Sequence, residues 1–201
     1  GADAKFVRQT GGRGQYGHAV IEIRPEEQGH GVTVENKVTG GRIPKEYIPA
    51  VEQGIREAAE NGVLAGYPLV DMHIDILDGS YHTVDSSEIA FKAAGSIAFK
   101  EAAGKAGLGL LEPVMKLEVT TPEEHLGDVI GDLSSRRGHV IEIDSSPDVV
   151  RLLANVPLAE IFGYATALRS LTRGRAVFVA ELSHFDDVPS SIQQEVLSKR
   201  N

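Results

Sequence analysis

The 201-residue chain predicts an α+β protein of two domains, and three observations carry that reading. Segments with strand-like alternation and segments with helical periodicity follow one another along both halves. The second half repeats itself, because Pro122 to Gly138 matches Pro157 to Gly174 in outline. The composition, 41% hydrophobic and 24% charged, is that of a globular chain, at a length that allows each domain its own core.

In the first half, Phe6 to Gln9 and His18 to Arg24 read as a strand pair, and Val32 to Val38 follows the Gln28 to Gly31 turn as a third strand. Pro44 suits a first helical turn, and Ile48, Val51, Ile55 and Ala58-Ala59 recur at helical spacing until Asn61-Gly62 stops them. Leu69 to Leu77 alternates as a half-buried strand of roughly 30 Å. It runs into the loop Asp78 to Val84. Asp85-Ser86-Ser87-Glu88 announces the next helix, with Asp85 expected at the N-cap and Glu88 three residues on. Small residues at Ala94 and Gly95 are expected to pack that helix closely on a sheet, and Ala103 to Gly107 ends it.

Each copy of the repeat begins with proline after a β-rich run, carries an apolar helical face and ends at a glycine C-cap. Thr121-Pro122-Glu123-Glu124 reads as a capping box, and Leu126, Val129, Ile130 and Leu133 as the buried stripe. With strands at Pro113 to Thr120, Val140 to Ile143, Val149 to Val156 and Ala176 to Leu182, the repeat makes two βαβ units, hence a ferredoxin-like α/β sandwich. The expected divisions are residues 1–111, 112–187, and a C-terminal helix in 188–201 that docks on the body through Ile192 and Val196.

Without cysteine, disulfide scaffolds and thiolate metal sites are excluded. No apolar run approaches the roughly 20 residues of a bilayer span and no signal peptide opens the chain, so a soluble protein is expected. A net charge of -9 argues against non-specific coating of nucleic acid, yet Lys5, Arg8 and Arg13 allow one basic place on an acidic body.

The stretch that no hydrophobic core asks for is Thr10 to His18, T-G-G-R-G-Q-Y-G-H, with four glycines in nine residues. Gly12-x-Gly14-x-x-Gly17 has the spacing of a dinucleotide fingerprint and of a kinase glycine loop. The first needs a helix after it, whereas His18 to Arg24 reads as a strand. The second lacks its H-R-D and D-F-G partners, and no Lys-Ser/Thr follows the last glycine to make a P-loop. A bare hairpin tip and a surface for close approach of a partner both stay open on these residues alone.

The seven histidines show no metal-ligand spacing, so no metal site is expected. His73 and His139 read as packing or surface residues, whereas His82, beside Ser80 and Tyr81, reads equally as exposed loop or binding residue. Arg136-Arg137 precede Gly138, where cations complement a helix C-terminus, and their forked donors also suit phosphate.

Several ordered motifs together resemble bacterial translation elongation factor G. They are Phe6 to His18, Ile43 to Val51, Asp78 to His82 with Val84 to Glu88, Glu112-Pro113, Val119 to Glu124, Gly127 to Leu133, and Pro157 to Thr166. The resemblance spans essentially the whole chain. It implies the fourth and fifth domains of such a factor: an elongated domain with a left-handed βαβ crossover, against the usual hand, then a ferredoxin-like domain. It also implies that the GTPase domain, with its GTP and Mg, is absent here, that this part is no enzyme and has no cofactor, and that it is a cytoplasmic monomer.

By the same resemblance the partners are the ribosome, tRNA and mRNA, with no membrane. The fourth domain's tip enters the small-subunit decoding site during translocation and contacts the codon-anticodon duplex and A-site tRNA. The matching positions are Gly11, Gly12, Arg13, Gly14, Gln15, Tyr16, Gly17 and His18 with Ser80, Tyr81 and His82. Gln15 and His82 are the leading contacts and Arg13 a phosphate partner. The fifth domain lies against the large-subunit GTPase-associated centre, with Arg136 and Arg137 as rRNA contacts. A paralogue specialised for ribosome recycling shares the fold, although the intact loops resemble the translocase type. An enzyme using His82 and Asp85 as an acid-base pair is the reading from another class, and it needs a nucleophile or metal close to both.

Overall fold

The structure is a computed structural model that describes residues 2–9, 14–64 and 66–199. Two compact units divide the chain, one comprising Gly1–Leu108 with Leu197–Asn201 and the other Gly109–Val196.

The first unit is a four-stranded mixed sheet with helices packed on it. Its strands are β1 (Ala2–Gln9), β2 (Gly14–Pro25), β3 (Val32–Asn36) and β4 (Met72–Ser80), in the order β1-β2-β4-β3. β1 and β4 flank β2 antiparallel, whereas β3 runs parallel to β4. That parallel pair demands a crossover, which α1 (Ile48–Asn61) supplies between β3 and β4. α2 (Glu88–Lys105) follows β4.

Ile21, Ile74 and Ile76 from the sheet meet Val51 and Ile55 of α1 and Phe91, Ala94, Ala98 and Phe99 of α2, all fully buried. Gly54 and Gly95 set the approach of the two helices. A Cβ built on Gly54 would lie 2.0 Å from the Lys92 carbonyl oxygen, and one on Gly95 would lie 2.3 Å from that of Val51. Gly95 therefore packs against α1, and not against the sheet as expected from sequence.

Three boundaries differ from expectation. β4 starts at Met72 instead of Leu69, because Asp71 takes a left-handed φ of 57° and its Oδ1 accepts the backbone N–H groups of Gly29 and Gly31, forming a corner. Pro44 introduces a short 3-10 turn, and the first-turn proline of α1 is Pro49. The N-cap of α2 is Ser87, whose side chain accepts from the Ala90 amide, so Asp85 is not the cap.

The second unit has β5 (Leu111–Thr121), α3 (Leu126–Ser135), β6 (His139–Ser145), β7 (Val150–Pro157), α4 (Tyr164–Thr172) and β8 (Val177–Asp187). Its sheet order is β6-β7-β5-β8, with β7 antiparallel to both neighbours. This is the ferredoxin-like split βαβ arrangement that the repeat predicts. Val129 and Leu133 of α3 and Tyr164 and Leu168 of α4 pack on Leu117, Val119, Leu152, Ala154 and Val156. The capping box is not formed: the buried Thr121 hydroxyl donates to the Pro122 carbonyl, and a 3-10 turn precedes α3. The helix stops are also shifted, since Arg137 (φ 57°) and Arg173 (φ 51°) take the left-handed position just before each glycine. α5 (Ser190–Ser198) ends the described chain.

Candidate functional site: the tip of the first unit

The sequence places two unusual loops far apart in the chain, and sheet topology decides whether they meet. Gly11, Gly12 and Arg13 lie outside the described residues. From Gly14 onward the chain is β2, and its register pairs Gln9 with Gly14, Arg8 with Gln15, and His18 with Ser80. Because β2 and β4 are antiparallel, the start of one adjoins the end of the other. The second loop therefore begins at Tyr81, as Asp78 to Ser80 belong to β4.

Direct contacts join the two. The Tyr16 amide donates to the Asp85 carbonyl (2.9 Å), and the Ser86 hydroxyl donates to the Tyr16 carbonyl (3.0 Å). The Tyr16 and His82 ring centroids are 6.3 Å apart. Gln15, the residue before Tyr16, and His82 thus occupy the same end of the sheet. Gln15 and Tyr16 are partly exposed, while Tyr81 and the His82 side chain are 49% and 54% exposed.

Behind this surface lies a second layer. Ser80 Oγ is 2.7 Å from the Tyr16 hydroxyl and 2.8 Å from His18 Nδ1, so one serine links two residues of β2. His18 is buried, as are Gly14 and Gly17. Gly17 was expected to let RNA approach. Its close neighbour is internal, because a Cβ there would lie 2.5 Å from the Ala90 carbonyl oxygen at the start of α2. Gly17 and His18 build the tip from inside, and among the described residues Gln15, Tyr16, Tyr81 and His82 present polar side chains at its surface.

The acid-base pairing of His82 and Asp85 does not have the shape of a catalytic dyad. His82 Nδ1 accepts the backbone N–H groups of Val84 (3.4 Å) and Asp85 (3.3 Å), with Asp85 Oδ2 3.4 Å away. The nearby Ser86 hydroxyl accepts the His82 backbone amide (2.8 Å) and is not activated by the imidazole. Nor does the glycine stretch suit a nucleotide, since it leads into a strand and offers no helix N-terminus to phosphates.

Among the described residues, Glu35, His73 and Asp75 bring three metal-type ligand atoms within 4.8 Å of one another. Asp75 Oδ2 already accepts from Arg24 and Lys37, both at 3.1 Å, and Oδ1 lies 2.8 Å from His73 Nε2. Burial acts to raise the Asp75 carboxyl, but hydrogen bonds from His73 and Lys37 and the charges of Lys37 and Arg24 outweigh it and hold the group below its ordinary value. Two cations balance the two carboxylates, so this is an ion-pair network bracing β2, β3 and β4.

Arg136 and Arg137 are similarly committed. Arg136 Nε donates to Asp132 (3.0 Å), and its Nη1 donates to the carbonyls of Glu160 (2.7 Å) and Phe162 (3.0 Å). Arg137 donates bidentately to Glu112 (2.7 and 3.0 Å) and through Nε to Glu160 (3.2 Å). The hydrogen bonds that it donates to Glu112 raise the Arg137 guanidinium above its ordinary value. These forks fasten the end of α3 to β5 and to the turn before α4.

A mixed-sheet unit with a polar tip, followed by a ferredoxin-like unit, defines the class of protein: a two-domain α+β module. Family models sharpen this. Residues 1–107 match the model described as elongation factor G, domain IV, and residues 109–196 match elongation factor G C-terminus. The chain belongs to the elongation factor G family. It is 56% identical over 198 residues to elongation factor G of Aquifex pyrophilus, covering 98% of this chain and 28% of that protein. A crystal structure of a Thermus thermophilus protein matches with a TM-score of 0.85 at 41% identity, covering 98% of this chain and 30% of the other. The chain thus spans under a third of the length of either relative.

Sequence reading missed Ser86, whose hydroxyl bonds both loops, and Tyr47, whose hydroxyl donates to the Ser86 carbonyl (3.4 Å). The Ser-Ser pair before α2 was the available signal, since a helix needs only one N-cap and the other serine is left to be explained.

Proposed function

We propose that this chain is the ribosome-binding C-terminal part of a translational GTPase that promotes tRNA-mRNA translocation, and that its tip enters the small-subunit decoding site. Family membership supports the broader reading. The observation that supports the tip's role is the convergence of Gln15 and His82 on one end of the sheet.

RNA duplexes are contacted through a shallow minor groove by shape, sugar hydroxyls and phosphates. Gln15 offers both donor and acceptor, and His82 and Tyr81 add an imidazole and a phenol at an exposed edge. Arg13 is proposed as a phosphate partner. GTP and Mg would be held by a part of the parent outside these residues, and the large subunit would receive the second unit. We assign Arg136 and Arg137 there to shaping the turn that carries Phe162, with phosphate contact secondary.

In the full-length factor, His82→Ala should slow tRNA movement while ribosome-stimulated GTP hydrolysis stays near wild type. Equal loss of both activities would overturn the tip's role after hydrolysis. Assaying subunit splitting beside translocation distinguishes a recycling factor.

A further inference from the structure

We propose that Ser86 is a positioning residue of the tip, holding the His82 loop and the start of β2 as one unit; this rests on the decoding-site reading above. Its hydroxyl accepts the His82 backbone N–H (2.8 Å) and donates to the Tyr16 carbonyl (3.0 Å). A hydroxyl does both at once, and alanine does neither.

The surrounding backbone converges on the same residue. The Ser86 amide donates to the His82 carbonyl (3.0 Å), Tyr16 and Ser86 form an isolated parallel bridge, and the Tyr47 hydroxyl donates to the Ser86 carbonyl (3.4 Å). Ser87 alone caps α2, so the Ser86 side chain is not consumed by the helix. Both of its side-chain bonds go to the two segments that form the tip.

The effect reaches the imidazole through the backbone. With Nδ1 accepting from the Val84 and Asp85 amides, the neutral ring carries its proton on Nε2 and is a donor there. Ser86 closes the Tyr81 to Asp85 loop that keeps those amides at the Nδ1 edge of the ring. A partner's phosphate or 2′-hydroxyl oxygen is then met by an N–H at a fixed place relative to Gln15.

The test combines two readouts. In the 201-residue chain, hydrogen exchange at the His82 amide should accelerate about tenfold in Ser86→Ala and stay near wild type in Ser86→Thr. In the full-length factor, Ser86→Ala should slow translocation about five- to tenfold, with Ser86→Thr restoring most of the rate. Added to His82→Ala, it should cost less than about twofold more, because the two act through one contact. If Ser86→Ala does not fold, Ser86→Cys, a weak donor and acceptor of similar size, gives the same readouts. Unchanged His82 exchange, or losses that multiply in the double variant, would overturn the assignment. A His82→Ala defect with unchanged exchange in Ser86→Ala removes only the role of Ser86. Faster exchange with wild-type translocation in both single variants removes the decoding-site reading and the role of Ser86 with it.

Discussion

Gly95→Ala and Gly104→Ala are the same substitution in the same helix, and the structure predicts opposite signs. Replacing glycine by alanine in a helix interior gains about 1 kcal/mol of propensity when nothing else changes. At Gly104 none of the described residues lies within 4 Å of the added Cβ, and the residue is exposed, so that gain should be realised as about 0.5–1 kcal/mol. At Gly95 the Cβ would sit 2.3 Å from the Val51 carbonyl oxygen, about 1.1 Å inside an ordinary 3.4 Å contact (3.4 − 2.3). That oxygen belongs to the α1 backbone, so relief requires moving a helix. Overpacking of this kind costs about 1–3 kcal/mol. Net of propensity, Gly95→Ala should destabilise the first unit by up to about 2 kcal/mol, leaving the variants about 0.5–3 kcal/mol apart. Urea unfolding followed through NMR signals of α2 amides reads the first unit alone, which matters because a two-unit chain need not unfold in one step. Equal or greater stability for Gly95→Ala, or a loss for Gly104→Ala, would refute the helix-crossing argument.

Two further predictions concern the second unit. Arg137→Ala removes a bidentate pair to Glu112 and a bond to Glu160, in a partly exposed setting, and should cost about 1–3 kcal/mol in urea unfolding; a change below about 0.5 kcal/mol would contradict the bracing role. Tyr164 is buried, its hydroxyl has no hydrogen-bond partner among the described residues, and burial pushes it up to about 12. Because the folded value is raised above 10.0, its contribution is full below about pH 10 and is lost as pH rises toward 12. Tyr164→Phe should flatten that alkaline decline and leave neutral-pH stability within about 1 kcal/mol; an unchanged alkaline slope would contradict it.

Much of the fold was legible because periodicity reports burial directly. The repeat in the second half gave its βαβ units, since Leu126, Val129, Ile130 and Leu133 recur at the spacing of a buried helical face, and Val129 and Leu133 are fully buried. The parallel pairing of β3 with β4 was not legible, because local alternation carries no partner information. Gly17 shows the same limit at the site: a glycine that admits Ala90 of α2 and one that admits a ligand look alike in sequence. Ser87 in place of Asp85 as the cap is a local choice between neighbouring good N-caps, decided by where the chain leaves the tip. The unusual composition of the two tip loops was legible in the sequence, whereas the partners of the Ser86 hydroxyl became visible only when β2 and the end of β4 were seen side by side.

The central claim is that the end of the sheet carrying Gln15 and His82 meets RNA at the decoding site. Its most direct test is photo-crosslinking from a benzophenone side chain at Tyr81 in the full-length factor stalled on ribosomes with tRNA and mRNA, mapped by primer extension. The account predicts crosslinks to A-site tRNA or to small-subunit rRNA of the decoding region. Crosslinks confined elsewhere, or none while the factor remains ribosome-bound, would contradict it.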